Sequence, residues 1–144
     1  MNVQSIIAHK GDAVATIPQT ATLDEATSML SRRRIGALVV SGDGRAINGI
    51  ISERDIVRQV ASGGLAALTA SVGSAMSTDV ITCSAGDGVD RLMELMTDQR
   101  IRHLPVVDDA GHLAGIVSIG DVVKARLAEL ELENRALADY ISGR

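Results

Sequence analysis

The chain has 144 residues, 46% of them apolar, a formal net charge of -4 at pH 7, and a single aromatic side chain, Tyr140. Without Trp or Phe it cannot read nucleic acid by stacking bases on rings, and an acidic chain with no long basic run is poorly suited to grip a phosphate backbone. The length accommodates one compact domain or two small repeats, around a core built from Leu, Ile, Val, Ala and Met.

In chain order, the opening Met-Asn-Val-Gln-Ser-Ile-Ile-Ala-His-Lys lacks the charged start and continuous apolar stretch of a signal peptide. A β-like stretch over Ala13–Ile17 leads into an amphipathic helix whose apolar face is Leu23, Ala26, Met29 and Leu30, with Asp24 in its first turn. Two strands follow, Ala37–Val40 and Ile47–Ile51, joined by turn chemistry, Ser-Gly-Asp-Gly, and a second helix starts at Ser52. The Ser-, Gly- and Ala-rich segment Ser62–Thr78 reads as a linker with a short helical turn near Ser71–Met76. The same series then recurs: a strand over Asp79–Cys83, a helix faced by Val89, Leu92, Leu95 and Met96, strands His103–Val107 and Leu113–Val117, and a helix from Ser118.

The recurrence is a duplication. Residues 14–58 align without a gap on 80–124, an offset of 66, and 13 of the 45 positions are identical, among them Arg34/Arg100, Gly49/Gly115, Ser52/Ser118 and Asp55/Asp121. Each unit reads β-α-β-β-α. One such unit buries too little surface to be secure alone, so the expected fold is α+β, with two pseudo-twofold-related repeats packed sheet to sheet. The divisions are 3–61 for the first repeat, 62–75 for the linker, 76–127 for the second repeat, and 128–144 for a C-terminal helix extension. Function is expected in the clefts where the repeats meet.

Ser52-Glu53-Arg54-Asp55 and Ser118-Ile119-Gly120-Asp121 each follow an apolar strand and admit two readings. In one, Ser is the N-cap of a helix and the acid completes a capping box. In the other, the helix N-terminus faces a phosphate while Asp accepts hydrogen bonds from a ribose diol. Both roles can coexist, and duplication at the repeat interface favours the ligand.

The runs Ile35-Gly36-Ala37-Leu38-Val39-Val40, Gly49-Ile50-Ile51-Ser52-Glu53-Arg54-Asp55-Ile56-Val57, Ile101-Arg102-His103-Leu104-Pro105-Val106-Val107 and Gly115-Ile116-Val117-Ser118-Ile119-Gly120-Asp121-Val122 resemble tandem cystathionine-β-synthase-type (CBS) domains, a Bateman module of the stand-alone bacterial type. The resemblance covers about residues 3–127. It implies a regulatory protein that binds adenosine-containing ligands in two interfacial clefts: AMP first, with NAD(H), ATP or ADP, and S-adenosylmethionine as further possibilities. It assigns one site to Asp121 on the ribose, Ser118 and Gly120 near the phosphate, and Lys10, Ala13, Ala15, Thr16, Ile35, Gly36 and His103 around them. The counterpart uses Asp55, Ser52 and Arg54 with Met76, Asp79, Ile81, Thr82, Ala37 and Arg102. In this assignment Lys10 and Met76 hold equivalent positions, so each site has one nearby cation, Lys10 or Arg54. Taken alone, Lys10, Arg54 and Arg102 are also ordinary surface charges, and His103 is either a partly buried strand residue or a phosphate cap. Gly36 would let backbone approach closely.

Nothing in the chain asks for catalysis or a metal. Cys83 is alone, which excludes an intrachain disulfide and a cysteine zinc cage, and it reads as core. His9, His103 and His112 lack metal-site spacing, and no G-x-S-x-G, Walker A or G-x-G-x-x-G run is present. No apolar run approaches the roughly 20 residues that cross a bilayer. The expectation is a soluble cytoplasmic regulator with no nucleic-acid or membrane partner, an unidentified effector protein, and a homodimeric state. The alternatives are a structural or oligomerisation module with empty clefts and, further off, a nucleotide-processing enzyme. The last helix runs to about Ile141, and Val123, Leu127, Leu130, Asn134, Leu137 and Ile141 form a heptad stripe on it, suited to lie on its own module or to pair with a second copy.

Overall fold

A computed structural model describes residues 1–143; the last residue of the expected C-terminal extension, Arg144, lies outside the described residues. The elements are α1 (Val3–Lys10), β1 (Thr16–Ile17), α2 (Leu23–Arg33), β2 (Ala37–Val40), β3 (Gly49–Ser52), α3 (Glu53–Gly63), a 3-10 turn (Leu65–Thr69), α4 (Val72–Ala75), β4 (Cys83–Ser84), α5 (Val89–Gln99), β5 (His103–Val107), β6 (Leu113–Ser118) and α6 (Ile119–Ile141). They form two three-stranded sheets, β1-β2-β3 and β4-β5-β6, in each of which the first strand is parallel to the second and the second antiparallel to the third. Register repeats with the duplication: Ile17 faces Val40 as Cys83 faces Val106. No helix among the described residues is long and apolar enough to cross a membrane.

Each repeat has its own aromatic-free core. In the first, Leu23 and Leu30 of α2 meet Leu38, Val40 and Ile51 of the sheet and Ile56 of α3. In the second, Val89, Leu92 and Met96 of α5 meet Leu104, Val106 and Val117 with Val122 of α6.

Helix α1, which the hydrophobic pattern did not announce, completes the core of the far repeat. Asn2 caps it by accepting a hydrogen bond from the Ser5 N–H at 3.0 Å, and Val3 and Ile6 are buried against the second-repeat cluster. Within the expected linker, α4 does the same for the first repeat, burying Val72 in its cluster. The two dockings are copies. Val3 N–H donates to the Asp87 carbonyl at 2.9 Å and Gln4 N–H to Ala85 at 2.9 Å; Val72 N–H donates to Ala21 at 2.7 Å and Gly73 N–H to Gln19 at 2.9 Å. The acceptors are 66 residues apart, but the donors are 69 apart. Ile7 is therefore the counterpart of Met76, and the pairing of Lys10 with Met76 expected from a gapless alignment is incorrect. Lys10 sits on an extra turn of α1 that the shorter α4 lacks.

Strand pairing is shorter than expected at the start of each repeat. Instead of Ala13–Ile17 and Asp79–Cys83, only Thr16–Ile17 and Cys83–Ser84 pair, because the preceding residues diverge from the sheet to form cleft walls. The strand expected at Ile47–Ile51 is Gly49–Ser52, since Asn48 closes the turn, with its amide donating to the Val40 carbonyl at 2.8 Å. The Leu113 strand runs one residue further than expected, to Ser118.

The lead-in segments cross the sheets at a glycine. A Cβ on Gly49 would stand 2.7 Å from Met76 Sδ and 2.8 Å from the Ser77 carbonyl oxygen; on Gly115 it would stand 2.8 Å from Ile7 Cδ1. Ser77 is held by paired backbone bonds with Ile50, 2.9 Å each way, whereas the Ile7 methyl can rotate aside. Gly49→Ala is therefore expected to cost about 1–3 kcal/mol of stability and Gly115→Ala distinctly less, as read from urea unfolding midpoints. Equal losses would mean that the Ser77 carbonyl is not the obstacle.

Candidate functional site

Two clefts open where the repeats meet, and each is anchored by the N-terminus of a helix. Ser52 and Ser118 have extended backbone, the conformation an N-cap requires, and begin α3 and α6 with reciprocal capping boxes. Ser52 N–H and Oγ donate to Asp55 Oδ2 at 2.8 and 2.9 Å; Ser118 N–H donates to Asp121 Oδ2 at 2.9 Å. In both copies the protein bonds fall on Oδ2, and Oδ1 has no partner among the described residues. The capping reading is thus correct, and it leaves one carboxylate oxygen per repeat available.

The cleft beside Asp121 has a volume of about 620 Å³. Of the residues expected there, Lys10, Ala13, Ala15, Ile35, Gly36, His103 and Ser118 line it, joined by Val14, Arg33, Arg34, Ala37 and Ile116. Asp121 is not among the lining residues, though its neighbours Lys10, Ile116 and Ser118 are: Lys10 Nζ bonds Asp121 Oδ2 at 2.7 Å and the Ile116 carbonyl at 3.0 Å. Burial pushes the Asp121 carboxyl up, but the bonds from Lys10 and Ser118 outweigh it and hold the group below its ordinary value. Thr16 is placed in the β1–β2 pairing and Gly120 on the exposed first turn of α6; neither lines the cleft.

The cleft beside Asp55 has a volume of about 480 Å³. Ala37, Ser52, Arg54, Asp55, Asp79, Ile81 and Arg102 line it as expected. Met76 and Thr82 do not: Met76 packs against the first-repeat core beneath Gly49, and Thr82 precedes Cys83 at the point where sheet pairing begins. No lysine occupies the place that Lys10 takes in the other cleft.

His103 separates the two clefts and lines both. A Cβ on Gly36 would stand 3.1 Å from its Cε1, so the close approach that Gly36 permits is that of the imidazole ring rather than of backbone. Burial, helped by the Arg102 and Lys10 charges, depresses the His103 pKa below its ordinary value, with Glu53 and Asp121 opposing. Cys83 is 3% exposed, and burial together with the Asp87 charge raises its thiol to about 12, so it is a core residue and not a nucleophile.

The arginines were underestimated by the sequence reading. Arg33 and Arg34 line the first cleft, and Arg54, Arg58, Arg100 and Arg102 the second. With Lys10 they make seven of the chain's 14 Lys and Arg residues. Among the described residues only Lys10 of the seven is in an ion pair. Arg34 and Arg100 end α2 and α5 in the left-handed region, at φ 54° and 53°, a conformation that ordinarily selects Gly or Asn. Their identity across the repeats was the available signal. Glu53 and Gln99 also line the second cleft, Glu53 as a countercharge.

Comparison with known proteins agrees with this architecture. The CBS domain family matches residues 7–62 and 72–128. The solved structure of the CBS-domain containing protein ATU1752 from Agrobacterium tumefaciens is 45% identical, with a TM-score of 0.82 over 87% of this chain and 98% of that one. The CBS domain protein PAE2072 from Pyrobaculum aerophilum, solved in complex with AMP, is 29% identical, with a TM-score of 0.79 over 93% and 99% of the two chains. The mitochondrial CBS domain-containing protein CBSX3 of Arabidopsis thaliana is 41% identical over 126 residues, 85% of this chain, which spans 61% of that protein's length. The twofold family match, the paired three-stranded sheets and the duplicated Ser-x-x-Asp helix starts place the chain in the CBS-domain family, as a tandem pair.

Proposed function

We propose that the chain is a regulatory module that binds a phosphorylated adenine nucleotide, AMP foremost and NAD(H) next, in one or both clefts between its repeats. It signals to a partner protein and works as a homodimer in the cytoplasm. The observation that carries this reading is the duplicated helix start, where Asp55 and Asp121 each keep one carboxylate oxygen free while capping with the other. A vicinal diol can bond that oxygen without disturbing the cap, and its 5′ substituent then faces the unpaired arginines. The Pyrobaculum relative that holds AMP supports the same ligand class.

Charge narrows the ligand. Half the cations of a chain with net charge -4 line the two clefts, an arrangement that favours AMP, ADP, ATP or NAD(H) over S-adenosylmethionine, which carries no phosphate. Adenine is held without stacking, between aliphatic side chains such as Ile35 or Ile81 and the unpaired backbone of residues 13–15 or 79–81.

The rival reading, a structural module whose clefts stay empty, is favoured by one observation: Lys10 already satisfies Asp121. A ligand that bonds Asp121 Oδ1 meets a carboxylate whose charge Lys10 already offsets through Oδ2, whereas Asp55 has no such ammonium beside it. Calorimetric titration with AMP, ATP, NADH and S-adenosylmethionine tests both readings. AMP is expected to bind, and Asp55→Ala to weaken its tighter site by about 10- to 100-fold, or about 1.5–3 kcal/mol for lost bonds to a charged group. Silence with all four ligands would leave the structural module; binding untouched by both Asp55→Ala and Asp121→Ala would remove the ribose assignment; turnover of a bound nucleotide would restore the enzyme.

Arginine substitution separates phosphate from nucleoside recognition. Arg100→Ala is expected to lower AMP affinity several-fold and to leave adenosine affinity unchanged, with the AMP affinity of the parent falling as salt rises. Equal losses for AMP and adenosine would mean that Arg100 shapes the cleft and does not contact phosphate.

A further inference from the structure

Helix α6 is continuous over 23 residues, about 35 Å, but only its first part packs on the body. Val122 and Ala125 are its buried residues, and every residue from Glu131 to Gly143 is exposed. A projecting helix of a dozen residues is marginal in water on its own. Yet the exposed surface carries the apolar stripe: Leu127 is 57% exposed, Leu137 58% and Ile141 76%, in line with Val123 and Leu130. The stripe begins one residue after Val122, so it runs about 100° round the helix from the packed face. No other part of the described chain covers it. The family match ends at residue 128, so from Leu130 onward the stripe belongs to this chain's own tail.

We propose that residues 123–141 of two copies pair as a parallel, in-register, two-stranded coiled coil. Leu127, Asn134 and Ile141 take the a positions, and Val123, Leu130 and Leu137 the d positions. Three observations select a second copy in this orientation. In parallel register Asn134 meets its own counterpart, and the two amides bond to each other, whereas an antiparallel pairing would set each amide against a leucine. The same register brings Glu131 of the second copy, at an e position, to Arg126 at the preceding g position, twice by symmetry, as a further acceptor for a guanidinium that already bonds Glu129 at 3.0 Å within its own chain. Finally, because the stripe lies to one side of the packed face, the twofold axis sends the two bodies to opposite sides of the paired helices. The pairing deepens the homodimer reading above and assigns it a face.

Cysteine cross-linking of the full chain tests this, since Cys83 is buried and inert. Asn134→Cys and Leu137→Cys are each expected to give at least tenfold more oxidised dimer than Arg135→Cys, which lies off the stripe. Sedimentation of the unmodified protein is expected to show a dimer, and Leu130→Lys with Leu137→Lys to raise its dissociation constant at least tenfold. The melting temperature of that double variant checks that its repeats still fold. A dimer without the position-dependent cross-link, or one indifferent to the double substitution, overturns the coiled coil and leaves the homodimer standing. A monomer at tens of micromolar overturns both.

Discussion

The structure depends on one constraint: neither repeat has enough chain to finish its own core. Each unit leaves a gap over its third strand, and each gap is filled by a helix that belongs, in sequence, to the other repeat's approach. Val3 closes the second core and Val72 the first, through the same pair of backbone bonds. The exchange ties the halves together without an intrachain disulfide or aromatic packing. It also creates the clefts: a segment that has just crossed to the far repeat must return to start its own sheet. On the way back, residues 13–15 and 79–81 run unpaired along the repeat interface. Open backbone beside a helix N-terminus is a consequence of that return path.

From the same crossing comes the inequality of the two clefts. An α1 longer than α4 by four residues carries Lys10 to Asp121, while the shorter crossing ends with Met76 under Gly49 and offers no cation to Asp55. At the centre, Gly36 and Ala37 on one side correspond to Arg102 and His103 on the other. The single imidazole therefore fills the space against Gly36, and the symmetry axis is plugged by one repeat only. A duplicated scaffold thus presents two differently charged cavities without any change of fold.

Much of this was legible in the residues. The faces of α2 and α5, the central strands and the capped starts of α3 and α6 follow from local rules, and each is nearly where periodicity puts it. What the residues did not reveal is non-local. Helix α1 has only two buried side chains, so its apolar signal is weak; its place is decided by Asp87 and Ala85, more than 80 positions away. The gapless offset of 66 is correct within the repeats and fails across the lead-ins, which is why Lys10 was set opposite Met76. Arg34 and Arg100 were visible as an identical pair, but their left-handed backbone and their place in the cleft linings required the fold.

The capping role and a ligand role of Ser-x-x-Asp are compatible in this geometry. Oδ2 fixes the helix start, and the fixed helix start holds Oδ1 in one direction. The carboxylate is thereby pre-ordered by a bond that the fold needs in any case, so a ligand need not bear the cost of immobilising it. Because each cleft has walls from both repeats, a ligand there touches groups that meet only when the repeats are docked. Its binding free energy therefore adds to the stability of the repeat interface, by RT ln(1 + [L]/Kd) for a species that binds the docked form alone. Asp121 stands in the first turn of α6, so under the proposed function the ribose contact and the projecting helix are parts of one continuous element. A change in how Asp121 is held is accordingly a change at the root of the surface that a second copy would read.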